Sequence, residues 1–202
     1  MLEPVLRTVT YALMGLAAAT LAALLGRDPL TTRSVLGLSG PFALTTSLVM
    51  GVVLAGATIA ASRAVVRTSA WGRALHADLR PAVRHTSERG ILVMAVASGV
   101  GEELVFRGLL VPLVGALVAS VAFGLLHQVR GRARWAWAAW ATITGFLLAA
   151  IFMLTGSLAG PIVAHVAINF VNLRHLRDHD VSDTPPRARL GGILSDRSGT
   201  RP

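Results

Sequence analysis

The chain contains neither cysteine nor lysine, and only 10 of its 202 residues are acidic. Without cysteine it forms no disulfide framework, no thiolate metal site and no cysteine nucleophile. Its basic residues are 19 arginines, which leave a net charge of +9. In a soluble protein this charge would suggest nucleic acid as a partner. Here the arginines flank long apolar runs, as the positive cytoplasmic loops of membrane proteins do, so we expect no nucleic-acid partner.

The apolar runs define the fold class. Hydrophobic residues make up 53% of the chain and the mean hydropathy is +0.63. Uncharged runs of this length predict an all-α, polytopic transmembrane helix bundle of about six spans, some of them broken or short. The predicted spans cover residues 9–25, 41–62, 91–112, 114–127, 135–154 and 161–173.

Three regions follow from this pattern. Residues 1–90 contain two N-terminal transmembrane helices and a basic aqueous loop at 63–89, residues 91–175 form a membrane core, and residues 176–202 form a disordered polar tail. The loop histidines His76 and His85 have no acidic or imidazole neighbour at ligand spacing, so we expect both at the surface.

The arginines also predict the orientation in the membrane. With six spans, 16 of the 19 arginines fall on the side of the two termini, two fall opposite, and Arg107 lies inside the membrane. Cytoplasmic loops carry such an excess of arginine. We therefore expect an integral protein of the cytoplasmic membrane, surrounded by lipid, with both termini in the cytoplasm.

One stretch places formal charges inside an apolar run. Glu102, Glu103 and Arg107 interrupt the segment between residues 91 and 126. Each charge at bilayer depth costs on the order of 3 kcal/mol, so the stretch marks a site or an internal ion pair. Glu103 and Arg107 are four apart on one helix face and can neutralise each other. Glu102 is less completely paired and is the better candidate for a general base, although an ion pair that only joins two helices fits the same spacing.

Two further spans each carry a polar pair at helical spacing. Phe123 and His127 are four apart, as are His165 and Asn169, so each pair shares a helix face. Membrane histidines often make only interhelical hydrogen bonds. Polar groups in three spans of so apolar a chain, with Glu102 among them, are most cheaply satisfied by one hydrated cavity.

Such a cavity suits the attack of water on an amide. A carboxylate deprotonates the water, an imidazole orients it or holds a metal with it, and an amide with a second imidazole donates to the oxyanion. Glu102, His127 and His165 are also an acceptable zinc set with an open position for water. Their spacing is not that of HExxH, so no motif establishes the metal.

Three motifs taken together resemble one protein family. They are Glu102-Glu103-x-x-x-Arg107, Phe123-x-x-x-His127 and His165-x-x-x-Asn169. In this order they resemble the CPBP family (CAAX-protease and bacteriocin-processing, or Abi, intramembrane proteases), which includes the type II CAAX prenyl endopeptidases. The resemblance covers about residues 90–175 and leaves the first two spans, the basic segment and the tail unmatched.

The resemblance implies an intramembrane endopeptidase that cuts a membrane-associated peptide or protein. It implies that Glu102 activates the water and that Glu103 is its neighbour tied to Arg107. It also implies that His127 orients water or a metal.

The resemblance further implies that His165 and Asn169 stabilise the oxyanion. For this family it leaves open whether zinc or a metal-free glutamate mechanism operates. A catalytically silent binding, immunity or scaffold protein is the alternative, and a small transporter or proton relay is a third hypothesis.

Straight spans would hold Glu102, His127 and His165 too far apart to cooperate. Some passages must therefore be broken, tilted or re-entrant. We expect the breaks at the glycines before each motif, which are Gly99 and Gly101 before the glutamates and Gly156 and Gly160, with Pro161, before His165.

Overall fold

The computed structural model describes residues 2–129 and 131–181. This part of the chain folds as a bundle of helices and contains no β-strand. The helices are α1 (Leu2–Leu24), α2 (Gly40–Thr68), α3 (Ala70–Leu79), α4 (Glu88–Glu103), α5 (Val111–Leu126), α6 (Arg134–Thr155) and α7 (Ala159–Asp178). A π-helical segment, Leu104–Leu110, joins α4 to α5. The predicted all-α bundle is confirmed.

Four helical segments of the described chain are long and apolar enough to cross a membrane. They are Val5–Leu24, Gly40–Thr68, Glu88–Leu126 and Arg134–Thr155. The third is 39 residues long and contains both the third and the fourth predicted spans. The sixth predicted span lies within α7, which is too polar to join this class and packs against α2, α4 and α6.

Gly115 divides the long third segment. Its backbone lies at φ 83° and ψ 161°, a conformation essentially reserved for glycine. In a straight helix Phe106 and Phe123 would be about 25 Å apart at about 1.5 Å per residue, yet their ring centroids are 4.9 Å apart. The chain therefore turns back at Gly115 without a loop, and the second half of α5 returns along the π-helical segment.

Gly99 and Gly101 do not break the chain as expected, because α4 is helical through both. They serve instead as points of close helix contact. A Cβ on Gly101 would lie 2.4 Å from the Tyr11 carbonyl oxygen on α1, and one on Gly99 would lie 2.7 Å from the side chain of Val166 on α7. Small residues allow membrane helices to approach in this way. The irregular backbone lies after the glutamates, in the π-helical segment and at Gly115.

The break at Gly156 is present. This residue ends α6 in the left-handed conformation, with φ 76°, as helix C-termini often require. The segment before α2 packs onto the turn that follows, with the Thr32 amide donating to the Gly156 carbonyl at 3.0 Å and the Leu158 amide donating to the Leu30 carbonyl at 2.9 Å. These bonds fix where α7 begins and hence where His165 lies along it.

The basic segment 63–89 is largely helical rather than an open loop. Helix α2 continues to Thr68, and Ser69 caps the N-terminus of α3, its hydroxyl accepting a hydrogen bond from the Gly72 amide at 3.0 Å. Ser87 caps α4 in the same way, through the Gly90 amide at 3.1 Å. Both serines supply the acceptor that a helix N-terminus needs.

One of the two loop histidines was wrongly predicted. His85 is exposed as expected, but His76 is buried, with 3% of its surface exposed. Its Nε2 donates to the carbonyl of His179 at 2.9 Å, just beyond the end of α7. Sequence spacing gave no sign of this partner because it lies 103 residues away. Of the predicted polar tail, residues 182–202 lie outside the described residues.

Candidate active site

Glu103 and Arg107 form a buried ion pair at the junction of α4 and the π-helical segment. Arg107 donates from one guanidinium nitrogen to Glu103 Oε1 at 2.8 Å and from another to the Gly145 carbonyl on α6 at 2.7 Å. The guanidinium also lies over the Phe123 ring, 4.7 Å from its centroid. Glu103 has no measurable exposure and Arg107 has 1%. A pair this buried is held by its hydrogen bonds as well as by its charges.

Glu103 has a second partner on α7. The Nδ1 of His165 donates to the same Oε1 atom at 2.7 Å. A carboxylate that accepts a hydrogen bond from one ring nitrogen fixes the orientation of the imidazole and leaves the other nitrogen facing the site. Glu103 thus acts as the anchor between Arg107 and His165.

His127 lies at the C-cap position of α5 and is oriented by its own helix. Its Nδ1 is 2.8 Å from the Phe123 carbonyl oxygen, which can only accept a hydrogen bond, so Nδ1 carries the hydrogen. The Phe123 ring packs against the imidazole, with centroids 4.2 Å apart. The four-residue spacing between Phe123 and His127 therefore fixes which nitrogen of His127 faces inward.

Both inward nitrogens converge on Glu102. Its Oε2 is 3.5 Å from the Nε2 of His165 and 3.7 Å from the Nε2 of His127. This oxygen is buried and has no hydrogen-bond partner among the described residues. When both imidazoles are neutral, the lone pairs of the two Nε2 atoms and of Glu102 Oε2 face one another. This arrangement favours a proton, a water or a cation among them.

Asn169 lies one helical turn after His165 on α7. Its Nδ2 donates to the Ser98 hydroxyl at 3.0 Å, and that hydroxyl donates to the Met94 carbonyl at 2.8 Å. Ser98 lies one turn before Glu102 on α4. Asn169 therefore borders the cluster through Ser98, and its amide group has a second hydrogen to donate to a substrate.

One cavity of about 280 Å³ is lined by Ser98, Glu102, Phe123, His127, His165 and Asn169. The cavity extends from Glu102, His127 and His165 to Arg7, near the start of α1, and Leu176, near the end of α7. Such a shape, with a few polar groups at one end of an apolar pocket, is typical of binding sites.

The donor types at Glu102 are those that zinc takes, because two imidazoles and a carboxylate with an open position are a common catalytic set. Within residues 2–129 and 131–181, however, no group of three His, Asp or Glu side chains has the arrangement of a metal site. We therefore derive no reaction step through a metal.

Sequence reasoning missed two side chains of the site. Ser98 could have been found, because it is polar, lies in an apolar run and is four residues before Glu102 on the same helix face. Tyr11 could not, because nothing in α1 relates it to the motifs, yet it lines the same cavity as Glu102.

The seven residues named from the motifs are thus all brought into one region. The imidazoles of His127 and His165 converge on Glu102. Glu103 is bonded to both Arg107 and His165. In straight spans these residues would lie far apart. The reversal at Gly115 and the turn after Gly156 bring them together.

Part of the chain is similar in sequence to known proteins. Residues 89–171 match the family model described as type II CAAX prenyl endopeptidase Rce1-like. A protein of Bacillus subtilis (strain 168), described as "Uncharacterized protein YpbD", is 33% identical over 81 residues, which are 40% of this chain and 42% of that protein.

The chain therefore spans less than half the length of this curated relative. No solved structure matches the chain. The matched segment runs from the start of α4 into α7 and contains every residue of the three motifs. Residues 89–171 thus match the Rce1-like family model, and the resemblance that the three motifs indicated is confirmed for this segment.

Proposed function

We propose that the protein is an intramembrane endopeptidase that hydrolyses a peptide bond of a membrane-associated substrate with water activated by Glu102. The observation that carries this proposal is the unpartnered, buried Glu102 Oε2, faced by the Nε2 atoms of His165 at 3.5 Å and His127 at 3.7 Å. The Rce1-like domain supports it at the level of the family.

Glu102 acts as the general base. It takes a proton from a water, the water oxygen forms a bond to the scissile carbonyl carbon, and a tetrahedral intermediate results. When the carbon–nitrogen bond breaks, the same proton passes to the leaving amine, so that one water is consumed for each bond cut. A buried carboxylate held among imidazoles is suited to both transfers.

The imidazoles hold the water and the oxyanion. His127, with its hydrogen on Nδ1, offers the Nε2 lone pair as an acceptor that orients the water. His165 is backed by Glu103 and donates from Nε2 when it is doubly protonated. Together with the second amide hydrogen of Asn169 it stabilises the oxyanion, and each such donor contributes about 10²- to 10³-fold in rate.

The substrate enters from the end of the bundle where α1 begins and α7 ends. The cavity reaches Arg7 and Leu176 at that end, and we propose that it faces the cytoplasm, because the arginine-rich segments lie there. A peptide held at the membrane surface by an anchor reaches Glu102 from this side. Glu102, His127 and His165 are of the donor types that zinc takes, and a bound zinc would activate the water further.

The decisive experiment is cleavage of membrane-anchored peptides, prenylated and unprenylated, by the purified protein in detergent. Glu102→Gln should abolish cleavage without loss of the folded protein. Glu88→Gln is the matched control, because this carboxylate begins the same helix and bonds Arg177 at 2.7 Å at the surface; it should cleave as the wild type does.

A chelator added to the same assay separates a zinc-dependent from a metal-free reaction. Full activity of Glu102→Gln would show that the base is assigned wrongly. Failure of the folded wild type to cut any peptide of a broad panel would favour a binding or scaffold protein instead.

A further inference from the structure

The helix α1 lies outside the matched segment, which begins at residue 89, yet it reaches the candidate site. It packs against α4 where the glutamates begin. A Cβ on Gly101 would lie 2.4 Å from the Tyr11 carbonyl oxygen, and one on Gly15 would lie 2.8 Å from the Cα of Gly101. The two backbones are therefore in direct contact one residue before Glu102.

This contact determines where the Tyr11 side chain lies. Tyr11 lines the same cavity as Glu102 and His165. A tyrosine in the first third of a span could also serve as an interfacial anchor with its hydroxyl in the headgroup region. The position of Tyr11 in the cavity favours a role in the site, because the buried Oε2 of Glu102 in the same cavity has no hydrogen-bond partner among the described residues.

We propose that Tyr11 is a positioning residue that holds the Glu102 carboxylate in its reactive orientation. The inference rests on the proposed function for its kinetic consequence but not for the contact itself. The Nε2 atoms of His127 and His165 are 3.7 and 3.5 Å from Oε2, too long for strong hydrogen bonds. Glu102 therefore needs another donor to fix its rotamer, and the phenol of Tyr11 supplies it from the neighbouring helix.

Tyr11 is the only tyrosine of the chain, which makes the contact directly observable. Protein grown with 3-fluorotyrosine carries a single fluorine label, and its ¹⁹F resonance reports the surroundings of the phenol. We expect Glu102→Gln to move this resonance and Glu88→Gln to leave it in place. If Glu102→Gln does not fold, Glu102→Asp provides the same test, because it withdraws the carboxylate by one methylene.

The kinetic arm uses Tyr11→Phe, which keeps the ring and removes the hydroxyl. We expect kcat to fall about 10- to 100-fold, as when an outer partner of a reactive group is lost, with little change in KM. An unmoved resonance in the Glu102 variants overturns the contact. A moved resonance with unchanged kcat in Tyr11→Phe overturns the positioning role.

Failure of the proposed function would give a different result. If the folded wild type cuts no peptide, the ¹⁹F measurement still decides whether Tyr11 bonds Glu102. The melting temperature of Tyr11→Phe in detergent shows whether this variant has folded. If Tyr11→Phe is both slower and less completely folded, we assign the slower reaction to the lost hydroxyl only when the Glu102 variants move the ¹⁹F resonance. If they do not move it, the result counts against the proposal.

Discussion

Replacing Arg107 by alanine should destabilise the protein strongly. Arg107 has 1% exposure and donates to Glu103 Oε1 at 2.8 Å and to the Gly145 carbonyl at 2.7 Å. Removing one partner of a buried pair leaves an uncompensated charge and costs about 3–5 kcal/mol. His165 still donates to Glu103 at 2.7 Å, so we expect the lower end of this range, about 3 kcal/mol.

The assay is the free energy of unfolding in detergent, obtained from denaturant titrations of the wild type and the variant. The double variant Arg107→Ala with Glu103→Gln removes the stranded charge as well. It should regain about 1–2 kcal/mol relative to the single variant, because a neutral amide is less costly to bury than an unpaired carboxylate. A loss below about 1 kcal/mol for Arg107→Ala, or no recovery in the double variant, would refute the reasoning.

Three further results are expected. Gly51→Ala places a Cβ 2.3 Å from a carbonyl oxygen of α7 and should cost about 1–3 kcal/mol of unfolding free energy, whereas Gly56→Ala, where a Cβ meets nothing within 4 Å, should cost nothing. Burial and then the Arg63 guanidinium lower the pKa of His175 to about 4 from 6.5. The unfolded chain therefore binds more protons between these values, so stability falls as the pH drops through this window, and His175→Gln should flatten that fall in pH-dependent melting curves. Asn169→Ala should reduce cleavage about 10²- to 10³-fold without a change in melting temperature of more than a few degrees, and an unchanged rate would remove Asn169 from the site.

The sequence alone predicts those contacts of the site that lie within a single helix. Helical spacing puts Glu103 and Arg107 on one face, and the structure shows them bonded at 2.8 Å. The same spacing brings His127 over the Phe123 carbonyl at 2.8 Å. These contacts could be predicted because a helix fixes the relation between residues i and i+4 wherever it lies.

The glycines show why the rest could not be predicted. A glycine in an apolar run permits either a backbone break or a close helix contact, and the sequence alone does not distinguish the two. Gly115 and Gly156 adopt positive φ and turn the chain, whereas Gly99 and Gly101 remain helical and carry the contacts of α4 with α7 and α1. His76 was misassigned for a related reason, since its partner is 103 residues away.

The sequence by itself thus determined the all-α membrane bundle, the family resemblance of residues 89–171 and the polar residues of the three motifs. Long apolar runs and isolated charges are costly enough to be informative one segment at a time. Only the tertiary structure decided that His127 and His165 both face Glu102 and that α1 contributes Tyr11. Those relations depend on how closely separate helices approach and where the chain reverses. They are set by packing between residues far apart in the chain, which no local spacing records.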